Sequence, residues 1–532
     1  MIHSYKRMMN RLKIETTISA CLLAMMFFSC TTSDKVPSKD FVDYVNPYIG
    51  NISHLLVPTY PTVHLPNSML RVYPERGDFT SDRINGLPVV VTSHRGSSAF
   101  NLSPVQGDVS RPVVSYSYDL EKITPYSYSV YLDEDDIQVD YAPSHQAGIY
   151  HISFHTEGDN ALVINTRNGM LATEENGVSG YQIIDNTPTK IYLYLETSQS
   201  PVKKGVLTEG KVDTERQEGK TISLFYGTES KLDVRYGISF ISAEQAKKNL
   251  QRDITTYDVK AVADAGRKIW NETLGKITVE GGSEDEKEIF YTSLYRTYER
   301  MINISEDGKY YSAFDGKIHE DGGTPFYTDD WIWDTYRATH PLRILIEPQK
   351  ELEMIRSYIR MAEQSDRGWM PTFPEVTGDS HRMNGNHAVA VIWDAYCKGL
   401  GDFDLEAAYE ACKGAITEKT LLPWLRLPVT ELDKFYQEKG YFPALGVDEK
   451  ETCAAVHSFE KRQAISVMLG NCYDSWCLAQ IAKVLNKPEE YKRFMKMSYT
   501  YRNVYNAETG FFHPKNKDGQ FIEPFDYRYS GG

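Results

Sequence analysis

The sequence predicts a chain built of two parts, an N-terminal antiparallel β-sandwich followed by an (α/α) toroid. Three observations predict this. From residue 41 to about 260, apolar residues recur with a period of two between closely spaced turn signals. Near Ser242 the period changes to that of a helix. Beyond it, helical stretches come in pairs joined by long aromatic loops, which in a toroid gather at one end and build a pocket. No short repeat is present, which argues against a solenoid of near-identical units.

The elements follow in order. "YSYSVYL" places Tyr128, Val130 and Leu132 on one face, and "IQVDY" does the same with Ile137, Val139 and Tyr141. Asp133 to Asp136 form the polar turn between them, and "YHISF" repeats the pattern with Tyr150, Ile152 and Phe154. "VKAVADAGRKIWNETL" reads as a linking helix. Ser283 and Glu286 stand at capping-box spacing before a helix whose predicted apolar face is Phe290, Leu294, Tyr298 and Met301. Further helices are predicted at 349–364, 386–400, 404–417, 460–486 and 488–505. The resulting boundaries are a sandwich over 41–255, a connection over 256–280 and a toroid over 281–532.

Residues 1–30 read as an export signal rather than as fold. Lys6, Arg7, Arg11 and Lys13 precede the apolar run "TTISACLLAMMFFS", which is too short to span a bilayer comfortably. Cleavage before Cys30 would leave that cysteine as a lipidation site, with 31–40 as a tether. An ordinary signal peptide cut elsewhere is the alternative. The chain is then an exported lipoprotein of the periplasm or outer-membrane surface of a Gram-negative bacterium, touching membrane only through its lipid. Beyond Cys30 five cysteines remain and none forms a CxxC pair, so buried free thiols are expected.

The net charge of −15 argues against nucleic acid as a partner. Aromatic residues make up 12% of the chain and tyrosine alone numbers 37, which suits either a β-core or carbohydrate contact. The stretch "DDWIWDTYRATHP" concentrates the question. Buried charges need partners, whereas in a sugar cleft aromatic faces stack on pyranose rings and carboxylates grip hydroxyls. Asp334 and Arg337 are spaced to pair and order a loop. Alternatively Asp334 accepts hydrogen bonds from sugar hydroxyls beside Trp333. "GWMPTFPEV" adds Trp369 and Glu375 on a proline-stiffened loop. Asn386 and His387 stand where a helix starts, either as a cap with a core histidine or as pocket residues at the positive end of a helix dipole. No G-x-S-x-G, H-E-x-x-H or P-loop is present, which leaves paired-carboxylate chemistry such as glycoside hydrolysis.

Several stretches resemble glycoside hydrolase family 92, the exported calcium-dependent exo-α-mannosidases of gut Bacteroidetes. These are "VDYVNPYIGN", "YGISFISAEQAKKNL", "WNETLGKITVEG", "IFYTSLYRTY", "WDTYRATHPL", "NGNHAVAVIWDAYCKG" and "YDSWCLAQIAKVL", which occur in the expected order. The resemblance implies a β-sandwich packed on an (α/α)6 toroid, incomplete here, and calcium-dependent hydrolysis with inversion that releases terminal mannose from mannan or N-glycans, most of all α-1,2-linked. It implies that Trp333 and Asp334 line the terminal-mannose pocket, with Asn386 and His387 at or beside it. In the N-terminal loop "ISHLLVPTYPTVHLPNS" only His54 and the prolines echo the family. The Glu–Gly–Asn segment bearing the general acid, the acidic segment bearing the base and much of the calcium site are expected beyond residue 532, so no catalytic residue is assigned within it. Competing expectations are a non-catalytic carbohydrate-binding surface lipoprotein, an inactive fragment, or another toroid enzyme.

Overall fold

A computed structural model describes residues 39–528 except 53–57, 77–79, 93–97, 108, 447 and 527. The predicted export signal, most of the predicted tether, Cys30 and His54 lie outside the described residues. The N-terminal half is a pair of antiparallel sheets, one of ten strands and one of six. In the larger sheet Ser127–Leu132, Ile137–Pro143 and Ala147–Phe154 pair in chain order, and Lys231–Ser239 returns to lie beside the last of them. The smaller sheet pairs Asn160–Thr166 with Phe100–Gln106 and with Thr221–Gly227. The chain crosses between the sheets, so alternate side chains of both fill the space between them.

The period-two reading holds residue by residue. Tyr128, Val130 and Leu132, then Ile137, Val139 and Tyr141, then Tyr150, Ile152 and Phe154 are all buried. Each such aliphatic or aromatic side chain contributes about 1.5–3 kcal/mol on burial. Buried tyrosines need hydroxyl partners, and three in the sandwich core show how these are found. Tyr236 donates to the Val89 carbonyl at 2.7 Å, Tyr150 to that of Pro88 at 2.5 Å and Tyr116 to that of Pro104 at 2.6 Å. The tyrosine excess therefore belongs in large part to the sandwich core.

Eleven α-helices follow among the described residues. Helices α1 (Ala243–Asp253) and α2 (Val259–Leu274) are capped by Ser242 and Asp258, whose side chains accept from the Gln245 and Ala261 amides. Helix α3 (Glu284–Arg296) opens with the predicted capping box between Ser283 and Glu286. Its buried face is Tyr291, Leu294 and Tyr295, one step round from the predicted one. The helix stops at Arg296, so Tyr298 and Met301 are buried from the following turns, and Phe290 is left half-buried. Then come α4 (Ile332–Thr335), α5 (Thr339–Ile346), α6 (Pro348–Gln364), α7 (Ala388–Cys397), α8 (Leu405–Thr417), α9 (Glu431–Lys439), α10 (Ala464–Val484) and α11 (Pro488–Ser498). The last predicted helix, 488–505, changes at Thr500 into a short 3-10 turn, so Phe494 and Ser498 are buried while Tyr505 is exposed. Helix α10 lies against α7, α8 and α11. Cys412, Cys453, Cys472 and Cys477 are buried and free, and Cys397 is free and exposed.

Two features tie the halves together. The Trp270 indole of α2 is fully buried and donates to the His64 carbonyl at 2.7 Å. The Arg71 guanidinium pairs with the Asp329 carboxylate, both side chains being 2% exposed. No helix of the described residues is long and apolar enough to cross a membrane.

Candidate active site

The chain between α3 and α4 runs along the seam with the sandwich, and the seam is densely charged. Arg300 lies over the Trp331 ring, 3.9 Å from its centroid, and its Nε is 3.6 Å from Asp329. Burial alone would raise the Glu299 carboxyl, but Arg300, Arg296 and Arg71 outweigh it and draw it down to about 2. Across from these, the hairpin Pro374–Glu375/Gly378–Asp379 is zipped to the segment before α4: the Asp330 amide donates to the Pro374 carbonyl at 2.9 Å and Thr328 Oγ1 to that of Glu375 at 3.2 Å. The Glu375 carboxyl meets Arg382 at 3.3 Å. Burial, opposed by Arg382 and reinforced by Asp329, pushes it up to about 7. It can therefore donate or accept a proton near neutrality, the property sought in a cleft.

The turn that carries Trp333 and Asp334 is held from beneath. Asp330 accepts from Thr335 Oγ1 at 2.9 Å, from the Tyr358 hydroxyl, and from His340 Nε2 at 3.0 Å. His340 Nδ1 in turn contacts Glu351 at 2.8 Å. Asp330, His340, Glu351 and Tyr358 are all 1% exposed or less. Burial would lower the His340 imidazole, but the Glu351 and Asp330 carboxylates overcome it and raise it to about 9. Each of its ring nitrogens is thus held by a carboxyl group.

Above this network the side chains turn outward. Trp333 is half-buried and Asp334 is exposed. The surrounding protein and then the Asp330 charge raise the Asp334 carboxyl, against Arg337 and Arg300. The Asp334–Arg337 ion pair that the spacing allows does not form. Arg337 instead spreads over the rings of Trp333 and Tyr336, 5.7 and 5.6 Å from their centroids. This leaves the Asp334 oxygens for another partner.

Tyr336 joins this turn to the start of α7. Its ring stacks on His387 at 4.2 Å and 25°, and Tyr473 of α10 completes the aromatic group. Asp474, fully buried, accepts from the Asn386 amide and from His387 Nδ1, both at 2.7 Å. A carboxylate on Nδ1 fixes the tautomer, so neutral His387 presents the lone pair of Nε2 as an acceptor. Gly385 makes room for that edge: it has φ 89°, and a Cβ there would lie 2.5 Å from His387 Nε2. Asn386 makes no helix cap, and its buried Oδ1 has no hydrogen-bond partner.

Tyr336 thus links His387, on which it stacks, to Trp333, whose ring shares Arg337 with it; Asp334 lies on the same turn and Asn386 precedes His387. Trp369 has a different setting. It is 7% exposed, packs against Gly414 of α8 and donates through Nε1 to Glu418 at 3.2 Å. Sequence reasoning missed Asp474, Tyr336 and Arg300. Only Asp474 had a signal, as an acid in the middle of the apolar helix 460–486, where it demands a partner. Calcium takes six to eight oxygen ligands, several of them carboxylates. Among the described residues no group of three or more His, Cys, Asp or Glu side chains is placed to hold a metal ion, so those residues do not fit a carboxylate-built calcium site.

Comparison with known proteins agrees with this architecture. The model of the glycosyl hydrolase family 92 N-terminal domain matches residues 44–239, and that of the family's catalytic domain matches 245–532. The structure of an inverting mannosidase of the family from Bacteroides thetaiotaomicron VPI-5482 superposes with a TM-score of 0.81 at 27% identity, covering 93% of this chain and 69% of that one. A family 92 α-mannosidase from Bacteroides thetaiotaomicron, solved with mannoimidazole, shares the fold with a TM-score of 0.80 at 22% identity, over 92% of this chain and 67% of that one. A secreted glycosidase of Arthroderma benhamiae is 24% identical over 319 residues, 57% of this chain, and the chain spans about a third (34%) of that curated relative's length. With one family model covering more than half of its residues, the chain belongs to glycosyl hydrolase family 92.

Proposed function

We propose that this chain carries the sugar-binding site of an exo-acting α-mannosidase that releases terminal mannose, α-1,2-linked in mannan or N-glycans, by single displacement with inversion. The observation that carries this is the outward-facing pair Trp333 and Asp334, with the Asp334 carboxylate unclaimed by Arg337, on the turn whose Tyr336 stacks on His387. Trp333 offers a ring to the pyranose C–H face. Asp334 accepts from sugar hydroxyls, and His387 Nε2 accepts from another. Asp474 holds the His387 ring in register. Inversion needs an acid to protonate the leaving oxygen and a base to activate water, about 6.5–9.5 Å apart.

Calorimetric titration with α-1,2-mannobiose tests the reading. Saturable binding is expected, weakened about 10- to 100-fold by Asp334→Asn, in line with about 1.5–3 kcal/mol for a hydrogen bond to a charged group. Binding that ignores this substitution, or favours galactosides, overturns it. Asp474→Asn is expected to weaken binding about tenfold and to shift the nitrogen resonances of His387 as the tautomer is released. An unchanged spectrum would remove Asp474 from the scheme. In turnover of α-1,2-mannobiose, β-mannose is the expected first product, and α-mannose would exclude inversion. The calcium requirement is read separately, by loss of turnover in EDTA and its return with calcium. Export as a lipoprotein is read by palmitate labelling abolished in Cys30→Ala.

A further inference from the structure

We infer that the surface around Trp424 is a second saccharide subsite, which takes mannose units of a neutral oligosaccharide beyond the one held at Trp333 and Asp334. The inference rests on the reading above and extends it to chain length. Trp424 stands on the loop between α8 and α9 and is 41% exposed, yet it is tied down on several sides. Its amide donates to the His381 carbonyl at 2.6 Å, and Nε1 donates to Glu460 at 3.1 Å. His457 stacks on the indole at 5.8 Å and 18°, itself fixed because its Nδ1 accepts from the amides of Phe459 and Glu460. An exposed tryptophan normally gains solvation of its N–H by remaining mobile. Here that freedom is given up for a single orientation, which is what a stacking platform needs.

The backbone points the same way. Trp424 has φ 65°, and His381, Lys461 and Gln463 have φ 49°, 58° and 48°. Each non-glycine residue in that region costs about 1–2 kcal/mol. Such costs collect where a fold over-determines a site for use.

Position supplies the link to the first subsite. Arg382 lies 5.6 Å from the Trp424 ring centroid and contacts Glu375 at 3.3 Å, so the platform borders the charged seam. The same segment ends on His387, five residues on, so the Cα atoms of Arg382 and His387 are at most about 18 Å apart, a span of a few sugar units. The ligand class follows from the lining: an indole 41% exposed, with Arg382 over the ring and Glu460 on Nε1, suits a hydroxyl-rich, uncharged ring, and opposite charges side by side do not favour an ionic polymer.

Titrations with α-1,2-mannobiose and the corresponding mannotetraose, followed by calorimetry and tryptophan fluorescence, test this. The wild-type chain is expected to bind the tetraose at least fivefold more tightly than the biose, with a fluorescence change. Trp424→Gly, which removes the ring and relieves the positive φ so that the melting temperature holds or rises, is expected to bring the ratio close to one. Trp424→Phe should keep an intermediate ratio. A wild-type ratio of one, or a ratio that Trp424→Gly leaves intact, overturns the subsite while the reading of Trp333 and Asp334 stands. Failure of the biose to bind overturns that reading and the subsite together.

Discussion

Arg71→Met is expected to destabilise the protein by about 3–5 kcal/mol, the usual cost of breaking a buried ion pair from one side. Arg71 is 2% exposed and has no route to water. Besides its ion pair with Asp329, it donates through Nε to the Val91 carbonyl and through Nη1 to that of Glu299, each at 3.3 Å. Methionine fills the volume but leaves Asp329 facing only Arg300, at 3.6 Å. Asp329 holds φ 62° just before Trp331, so the loss loosens the seam on which the candidate site is built. The double variant Arg71→Met/Asp329→Leu removes both charges and should recover more than half of the loss, because no uncompensated anion remains buried. Denaturant midpoints of the three proteins decide it. A single variant within 1 kcal/mol of wild type would show that the pair adds nothing to the junction.

This pair also marks how far the sequence could be read. Alternation and caps are local, so the sandwich strands from Ser127 to Phe154 and the Ser283–Glu286 box were legible. The register of α3 was not, since counting from Phe290 ran past the helix end at Arg296 and shifted the buried face by one residue. In "DDWIWDTYRATHP" the buried, paired reading applies to some residues and not to others. Asp329, Asp330 and His340 are buried and paired, while Trp333, Asp334 and Arg337 face outward. No local pattern could divide them, because the deciding partner of Asp329 is 258 positions away and that of His387 is 87 away. Trp369 and Trp424 make the same point in reverse. Both sit on proline-bearing loops, yet α8 closes over one and leaves the other open.

Beneath that turn, His340→Ala is expected to cost about 3–5 kcal/mol at pH 7, again by stranding charge. Two carboxylates would be affected: Asp330, left with hydroxyl donors only, and Glu351, left with Arg343 at 3.6 Å. The wild-type dependence on pH has a definite sign. The folded-state value of His340 is raised to about 9, above the ordinary 6.5. Its contribution is therefore complete below about pH 6.5 and is lost as the pH rises through about 9, amounting to about 3 kcal/mol. Stability measured by urea unfolding should fall between pH 7 and 9.5 in the wild type and much less in His340→Ala. Because Asp330 also anchors Thr335 of α4, affinity for α-1,2-mannobiose should decline over the same interval as the turn bearing Trp333 and Asp334 loosens. Equal pH slopes in the two proteins would mean that the imidazole is neutral in its cage, and that the turn is held by hydrogen bonds alone.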